Sequence, residues 1–373
     1  MKIPPFATEH FYAQYEFTTQ YQLCNSDCET VSIAELLTMA NIPLSQLGQL
    51  QLGYTETLGN PQLRDQIAAA YTNIKADDII VLGTPVEGIY LAARALLNPG
   101  DDVVVLSPAY DALINMFEHV VGSEHVHKWE FVANNDHWAL DFDQLHHLIT
   151  AKTKLLVVNF PHNPTGYLPT PKQLNELIDI VEKHNLTLFC DEMYFGLVHS
   201  GTEAIASAAE LTQNAIVLSG LSKTYGLPGL RTGWLIVQDE TIRQNIINWK
   251  FYTSICPPAP SEFLASAAWE VREQLKHKNI VQIEENLALA DTFFVRWPEL
   301  FTWRRPIAGS TALVGMNVAS VSIFAAQLAT EANVLIHPAT TLGGDDQHMR
   351  MGFGRAGFGT ALEQFELYLC KNY

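Results

Sequence analysis

Positive charge is scarce in this chain. Its 373 residues hold 22 Lys and Arg against 40 Asp and Glu, a formal charge of −18. Such a surface repels a phosphate backbone and an anionic membrane, so neither nucleic acid nor membrane is expected as a partner. Acidity of this kind mainly serves solubility and does not by itself imply a cationic substrate. Cysteine is scarce too: Cys24, Cys28, Cys190, Cys256 and Cys370 are odd in number and scattered apart from the first pair. That usage fits reduced cytoplasmic thiols, not a disulfide framework. Cys24 and Cys28 have no second Cys or His pair at zinc-finger spacing, so no metal site is expected. No stretch reaches the roughly 18 apolar residues of a membrane span, and the opening MKIPPFATEH has no long apolar run. A soluble, cytoplasmic protein is the expectation.

What is present is a globular share of apolar residues, 48%, in a chain longer than one ordinary core needs. From about residue 62 helical and strand patterns alternate: QLRDQIAAAYTNI, then DIIVLG, GIYLAARALLN and DVVVLS. KLLVVNF, LTLFC, AIVLS and GWLIV continue the series of short β-branched runs. Runs of this kind between helices predict an α/β fold with a largely parallel central sheet covered by helices on both faces. The best-marked helix starts with Thr170 as N-cap, Pro171 at the first position and Gln173 at the third. Leu174, Leu177, Ile178 and Val181 then repeat on one face. After about residue 260, EFLASAAWEVREQL and IVQIEENLALADTFF read as helices, and TALVGMNV and NVLIHPA as strands of a smaller α+β domain. The expected division is an N-terminal arm, 1–45, joined to the small domain; a large domain, 46–265; and a small C-terminal domain, 266–373.

The segment LSGLSKTYGLPGLRTGW, 218–234, sets one lysine, Lys223, among small residues with Arg231 eight positions on. Read alone, Lys223 is equally a surface lysine in a glycine-rich loop. Its neighbours change that reading. Ser219 and Ser222 offer hydroxyls, the glycines allow close backbone approach, and Arg231 brings a planar fork suited to phosphate. A lysine beside a phosphate site points to a phosphorylated carbonyl cofactor held as an imine.

Pyridoxal phosphate makes further demands, and the sequence has a residue for each. Asp191 in FCDEMYFG ends an apolar strand, where open α/β sheets place ligands, and would keep the pyridine nitrogen protonated; a helix N-cap is the alternative. Tyr194 and Asn163 can donate to the phenolate oxygen, although Asn-Pro-Thr-Gly is also a good turn sequence. Tyr110 in LSPAY can stack on the ring. Thr84, Pro85 and Val86, between strand and helix, can cradle the phosphate with helix N-terminal amides.

In order from LGYTETLGNPQLRDQIA at 52 to HMRMGFG at 348, these motifs resemble the class I/II aminotransferases, the fold type I pyridoxal-phosphate enzymes related to aspartate aminotransferase. The resemblance implies that Lys223 forms the internal aldimine and shuttles the proton, while Ser222 and Arg231 hold the phosphate. It implies that Tyr54 reaches the phosphate of a neighbouring subunit, hence a homodimer with its active site at the interface. It implies that Arg350 clamps the substrate α-carboxylate; a surface salt bridge is the ordinary alternative. Two positions depart from the family pattern. Gly220 stands where a serine is common, leaving the hydroxyl to Ser219 or Ser222, and Pro85 lacks an amide hydrogen, leaving that contact to Thr84 and Val86.

Transamination of an L-amino acid is the leading expectation. The stretches VVNFPHNPTG, LSKTYGLPGLRTGW, GLVH and MRMGF are also similar to the capreomycidine synthase branch of the family, which cyclises a hydroxylated arginine by elimination and internal guanidine attack. A guanidinium pocket needs acidic groups, and the arm has Glu9, Glu16, Asp27 and Glu29; Glu9 with Ser26 or Asp27 is the pair expected to face the substrate, a solvated acidic arm being the alternative. His162 is either a structural turn residue or an acid beside a leaving hydroxyl. A carbon–sulfur lyase would share every cofactor residue. A non-catalytic protein would have no need of Lys223, Asp191 and Arg231 together.

Overall fold

Most of the β-branched runs, such as DVVVLS, AIVLS and GWLIV, are buried along their whole length, so their two faces must both meet apolar partners. The computed structural model describes residues 3–134 and 136–373; Met1, Lys2 and Asn135 lie outside it. Seven runs form one sheet: β1 (Ile79–Leu82), β2 (Asp102–Ser107), β3 (Val126–Glu130), β4 (Thr153–Asn159), β5 (Thr187–Asp191), β6 (Ala215–Gly220) and β7 (Gly233–Val237). Their spatial order is β1-β7-β6-β5-β4-β2-β3. β7 runs antiparallel to β1 and β6, and the other pairs are parallel. Side chains alternate strictly between two cores. Val104, Leu106, Leu156 and Val158 enter one core with Leu174, Leu177, Ile178 and Val181 of the helix Pro171–Lys183. Val103, Val105, Leu155 and Val157 enter the other with the helices Pro85–Leu96 and Ala112–Val121. The period of two along each strand produces this sorting.

The Thr170 capping box forms as expected: Gln173 N donates to the threonine hydroxyl at 3.3 Å, and Thr170 N donates to Gln173 Oε1 at 2.9 Å. Other boundaries differ from the sequence reading. The helix expected through residue 74 stops at Ala68, where bonds from Ala70 and Tyr71 reach back only three residues. The chain then turns toward β1 through Asn73 at φ 64°. The pair of helices expected after residue 260 breaks at Val271, between Ala259–Glu270 and Arg272–Arg296.

A second, antiparallel sheet has the order β8-β9-β11-β10, from β8 (Phe301–Thr302), β9 (Thr311–Met316), β10 (His337–Pro338) and β11 (His348–Gly352). Its core holds Met349 and Met351 with Ile283, Leu287, Phe293 and Phe365, and takes in Leu23 and Cys28 of the N-terminal arm. Tyr21–Gln22 pairs in parallel with Val334–Leu335 in a separate two-stranded sheet, which stitches the arm to the chain just ahead of β10. Two glycines let the arm lie close against the end of β11. A Cβ on Gly352 would stand 1.7 Å from the Asn25 carbonyl oxygen, and one on Gly354 2.4 Å from that of Asp27. Residues 25–27 are thereby held at the carboxyl ends of β4, β5 and β6. Among the described residues, no helix is long and apolar enough to cross a membrane.

Candidate active site

A cavity of about 370 Å³ opens at the carboxyl ends of the parallel strands, where an open α/β sheet offers a crevice between diverging loops. Its wall includes Tyr110, Asn163, Asp191, Tyr194, Ser222, Lys223, Arg231 and Arg350, together with Glu9 and Asp27 of the arm and Pro85 and Val86 at a helix start.

Lys223 follows β6, and its loop is pinned by Thr224, whose hydroxyl reaches the carbonyls of Met193 at 3.1 Å and Phe195 at 3.0 Å. The lysine amine donates to the Ser26 hydroxyl at 2.8 Å. Burial lowers its pKa, and Arg350 adds to this, while Asp27 and Glu9 act in the opposite direction. The neighbouring Ser222 hydroxyl is buried and has no hydrogen-bond partner among the described residues. Arg231, at φ 52°, donates to the Thr84 hydroxyl at 2.6 Å and to the Pro228 carbonyl at 3.2 Å. Thr84 is not on the cavity wall itself but is tied to it by that bond. Pro85 takes the first position of its helix, where a missing amide hydrogen costs nothing. Gly220 is explained by space: a Cβ there would meet the Thr232 carbonyl oxygen at 3.0 Å and the Gly233 Cα at 3.1 Å.

Asp191 closes β5 and accepts from the Met193 amide at 3.0 Å. A turn follows it, so the N-cap alternative is not realised. Burial pushes its carboxyl up to about 6, against the pull of the Met193 amide and Lys223. Asn159, at the end of β4, donates to the Asp191 carbonyl at 2.7 Å and accepts from the Asn163 amide at 2.7 Å, joining two strands and the NPTG turn. Asn163 Oδ1 accepts from Arg350 Nη1 at 3.2 Å, which leaves its amide nitrogen free to donate.

Arg350 lies on β11 and is 1% exposed. Its Nη2 is held by the Tyr12 hydroxyl and the Cys24 carbonyl, and its Nε has no partner among the described residues. Its partners among the described residues are all neutral, so it is not the surface salt bridge weighed as the alternative. Tyr110 donates to Glu9 at 3.0 Å and packs on Phe6, with ring centroids 5.2 Å apart. Tyr194 is buried, and its hydroxyl is pushed above the usual range by desolvation, against Arg350 and Ser26.

Besides Thr84, three expected residues stand apart from this wall. His162 is buried with Nδ1 at 2.8 Å from the Thr165 hydroxyl and its ring against Phe131, and burial lowers its pKa to about 3. A neutral ring turned to the turn's own threonine cannot supply an acid to the cavity. Ser219 faces the Glu192 carbonyl, 3.5 Å away, so Ser222 is the hydroxyl that meets the cavity. Tyr54 is 93% exposed. Asp27 does line the cavity, but Arg355 grips it through two bonds of 3.1 and 2.6 Å. The structure adds Thr8, Tyr12, Asn25 and Asn159 to the wall and places on it Glu16, one of the arm acids weighed for a guanidinium pocket. A polar residue closing the buried run LLVVN was a usable signal for Asn159. Nothing local marked Tyr12, and the place of both Tyr12 and Glu16 depends on the path of the arm over Gly352.

The family model for aminotransferase class I and II matches residues 22–363. Capreomycidine synthase of Streptomyces vinaceus is 27% identical over 354 residues, 94% of this chain and 90% of that protein. An aspartate aminotransferase of Sulfolobus acidocaldarius is 30% identical over 233 residues; that match covers 60% of this chain and 57% of the relative, less than two thirds of its length. The crystal structure of a PLP-dependent aminotransferase from Streptococcus suis superposes with a TM-score of 0.92 at 26% identity, covering 100% of this chain and 99% of that one. A match that spans both sheets and every strand bearing a cavity residue shows that this chain belongs to the aminotransferase class I and II family.

Proposed function

We propose that the protein is a pyridoxal-phosphate enzyme that transaminates an L-amino acid. The observation that carries this reading is the convergence of Asp191, the adjacent Ser222 and Lys223, Arg231 and Arg350 on one cavity. The residues fit the cofactor on their own chemistry. A buried hydroxyl without a partner at Ser222 calls for an acceptor or donor, and a phosphate beside Arg231, Thr84 and the helix start at Val86 supplies one. A carboxyl raised to about 6 at Asp191 is matched by a protonated ring nitrogen.

When bound, the cofactor supplies an electron sink for the bonds at the substrate α-carbon. Lys223 would hold it and, with its amine depressed by burial, accept the α-carbon proton and return it. Tyr110 would cover the ring, and Asn163 and Tyr194 would donate to the phenolate oxygen. Arg350 would take the α-carboxylate, for which its unpaired Nε is available. Tyr54, exposed beside Leu52, would reach the partner's cofactor in a homodimer. Loaded protein is tested with a panel of amino acids, with and without 2-oxoglutarate. Keto-acid formation that needs the acceptor and is lost in Lys223→Ala supports the reading.

One observation favours a second reading. Glu9, Glu16 and Asp27 give the cavity an acidic side, which fits a basic amino acid and a cyclising elimination like that of the capreomycidine synthase relative. Loss of water from a hydroxyarginine, with the amino group retained and no acceptor required, would establish it. A carbon–sulfur lyase would instead release pyruvate and ammonia from a cysteine conjugate.

A further inference from the structure

We propose that Ser26 is a positioning residue for Lys223: its hydroxyl receives the free amine and holds it at one address in the cavity. The inference rests on Lys223 being the cofactor lysine. The contact spans 197 residues of sequence, from the arm to the loop after β6, at 2.8 Å. A lysine side chain is rich in rotamers, so a free amine that must meet one carbon atom needs a fixed partner.

Ser26 is itself fixed. Its carbonyl accepts from the Ser310 hydroxyl at 2.7 Å, and the residues on either side are seated on Gly352 and Gly354. Its hydroxyl accepts from Lys223 at 2.8 Å. A serine oxygen that accepts this hydrogen keeps its own to donate. The charged and titratable groups facing Lys223 do not replace this contact. They are Glu9, Glu16, Asp27 and Cys28 from the arm, Arg350 from β11 and Asp191 from β5. Asp27, the anion with the largest effect on the amine, is already committed to Arg355. Ser26 is the hydrogen-bond partner of the amine among the described residues, and the others act on it through charge.

The arrangement makes the arm part of the proton-transfer machinery as well as a wall of the substrate pocket. An arm displaced from Gly352 would release Ser26 and, with it, the orientation of Lys223.

The test compares wild type, Ser26→Ala and Ser26→Thr. In cofactor-free protein, the pH dependence of Lys223 acetylation by acetic anhydride is followed by peptide mass spectrometry. A hydrogen bond accepted from the ammonium form favours that form, so Ser26→Ala is expected to lower the apparent pKa by about one pH unit, and Ser26→Thr to restore it. In cofactor-loaded protein, Ser26→Ala is expected to lower kcat about tenfold to a hundredfold with KM within about twofold, and α-deuterated substrate should show a larger isotope effect. An unchanged pKa in Ser26→Ala, or a shifted pKa with unchanged kcat, overturns the proposal. Failure of wild-type protein to take up pyridoxal phosphate would overturn the reading of the site itself, and that control tells the two failures apart.

Discussion

Arg350 Nη1 donates to Asn163 Oδ1 at 3.2 Å, joining β11 of the small sheet to the NPTG turn of the large one across 187 residues. The bond presents a buried guanidinium to the cavity with neutral partners and an unpaired Nε. It also orients Asn163 so that its amide nitrogen is the group left to donate.

Replacing this arginine separates charge from geometry. Arg350→Lys keeps the charge and loses the planar fork, so KM for an amino acid is expected to rise roughly a hundredfold, about 3 kcal/mol. Binding of the matching amine without a carboxylate should change little. Equal losses for both ligands would remove Arg350 from the carboxylate site.

Asp191 trades stability for function in cofactor-free protein. Its folded pKa of about 6 lies above that of an unfolded aspartate, near 3.9, so its contribution is complete below about pH 4 and is lost as pH rises through 6. Asp191→Asn should therefore melt higher than wild type at pH 8, by at most about 3 kcal/mol, and no higher at pH 4. Turnover of the loaded variant should fall about 10²- to 10³-fold. Thermal melts at the two pH values check the first claim, and single-turnover kinetics the second.

Ser222→Ala is expected to act only through the cofactor. The hydroxyl has no partner to lose, so the cofactor-free protein should keep its stability within about 0.5 kcal/mol or gain. The dissociation constant for pyridoxal phosphate should rise about tenfold. A marked drop in melting temperature without cofactor would show that the hydroxyl is structural.

Two acidic residues of the arm should behave differently. The Glu16 carboxylate lines the cavity, and burial, then Asp27 and Glu9, raise its pKa. Glu16→Gln should raise KM about tenfold for arginine and lysine and leave alanine unaffected. Asp27→Asn removes the charge and one of the two acceptors facing Arg355 and should mainly lower the melting temperature. If Glu16→Gln affects alanine and arginine alike, the acidic side of the cavity does not read the substrate side chain.

Much of the fold was legible because its signals are local. LLVV and VVVL declare strands covered on both faces, and Thr170, Pro171 and Gln173 declare a helix start, since each depends on residues a few positions apart. The loops after strands carried the cofactor residues for the same reason: Asp191 closes an apolar run, and Asn163 and Lys223 stand in the short loops just after one. The antiparallel sense of β7 was not legible, because a strand pattern has no direction. Nor was the break at Val271, which lies inside a continuous helical pattern.

The sequence by itself determined the element types, the lysine and its phosphate-suited neighbours, because these are matters of residue chemistry and short spacing. Only the tertiary structure decided which arm residues enter the cavity. The absence of a Cβ at Gly352 and Gly354 lets residues 25–27 lie against β11, and that contact delivers Ser26 to Lys223 and Tyr12 to Arg350. The same packing hands Asp27 to Arg355. Contacts between residues so far apart in the chain are set by which surfaces fit, and no local pattern encodes them.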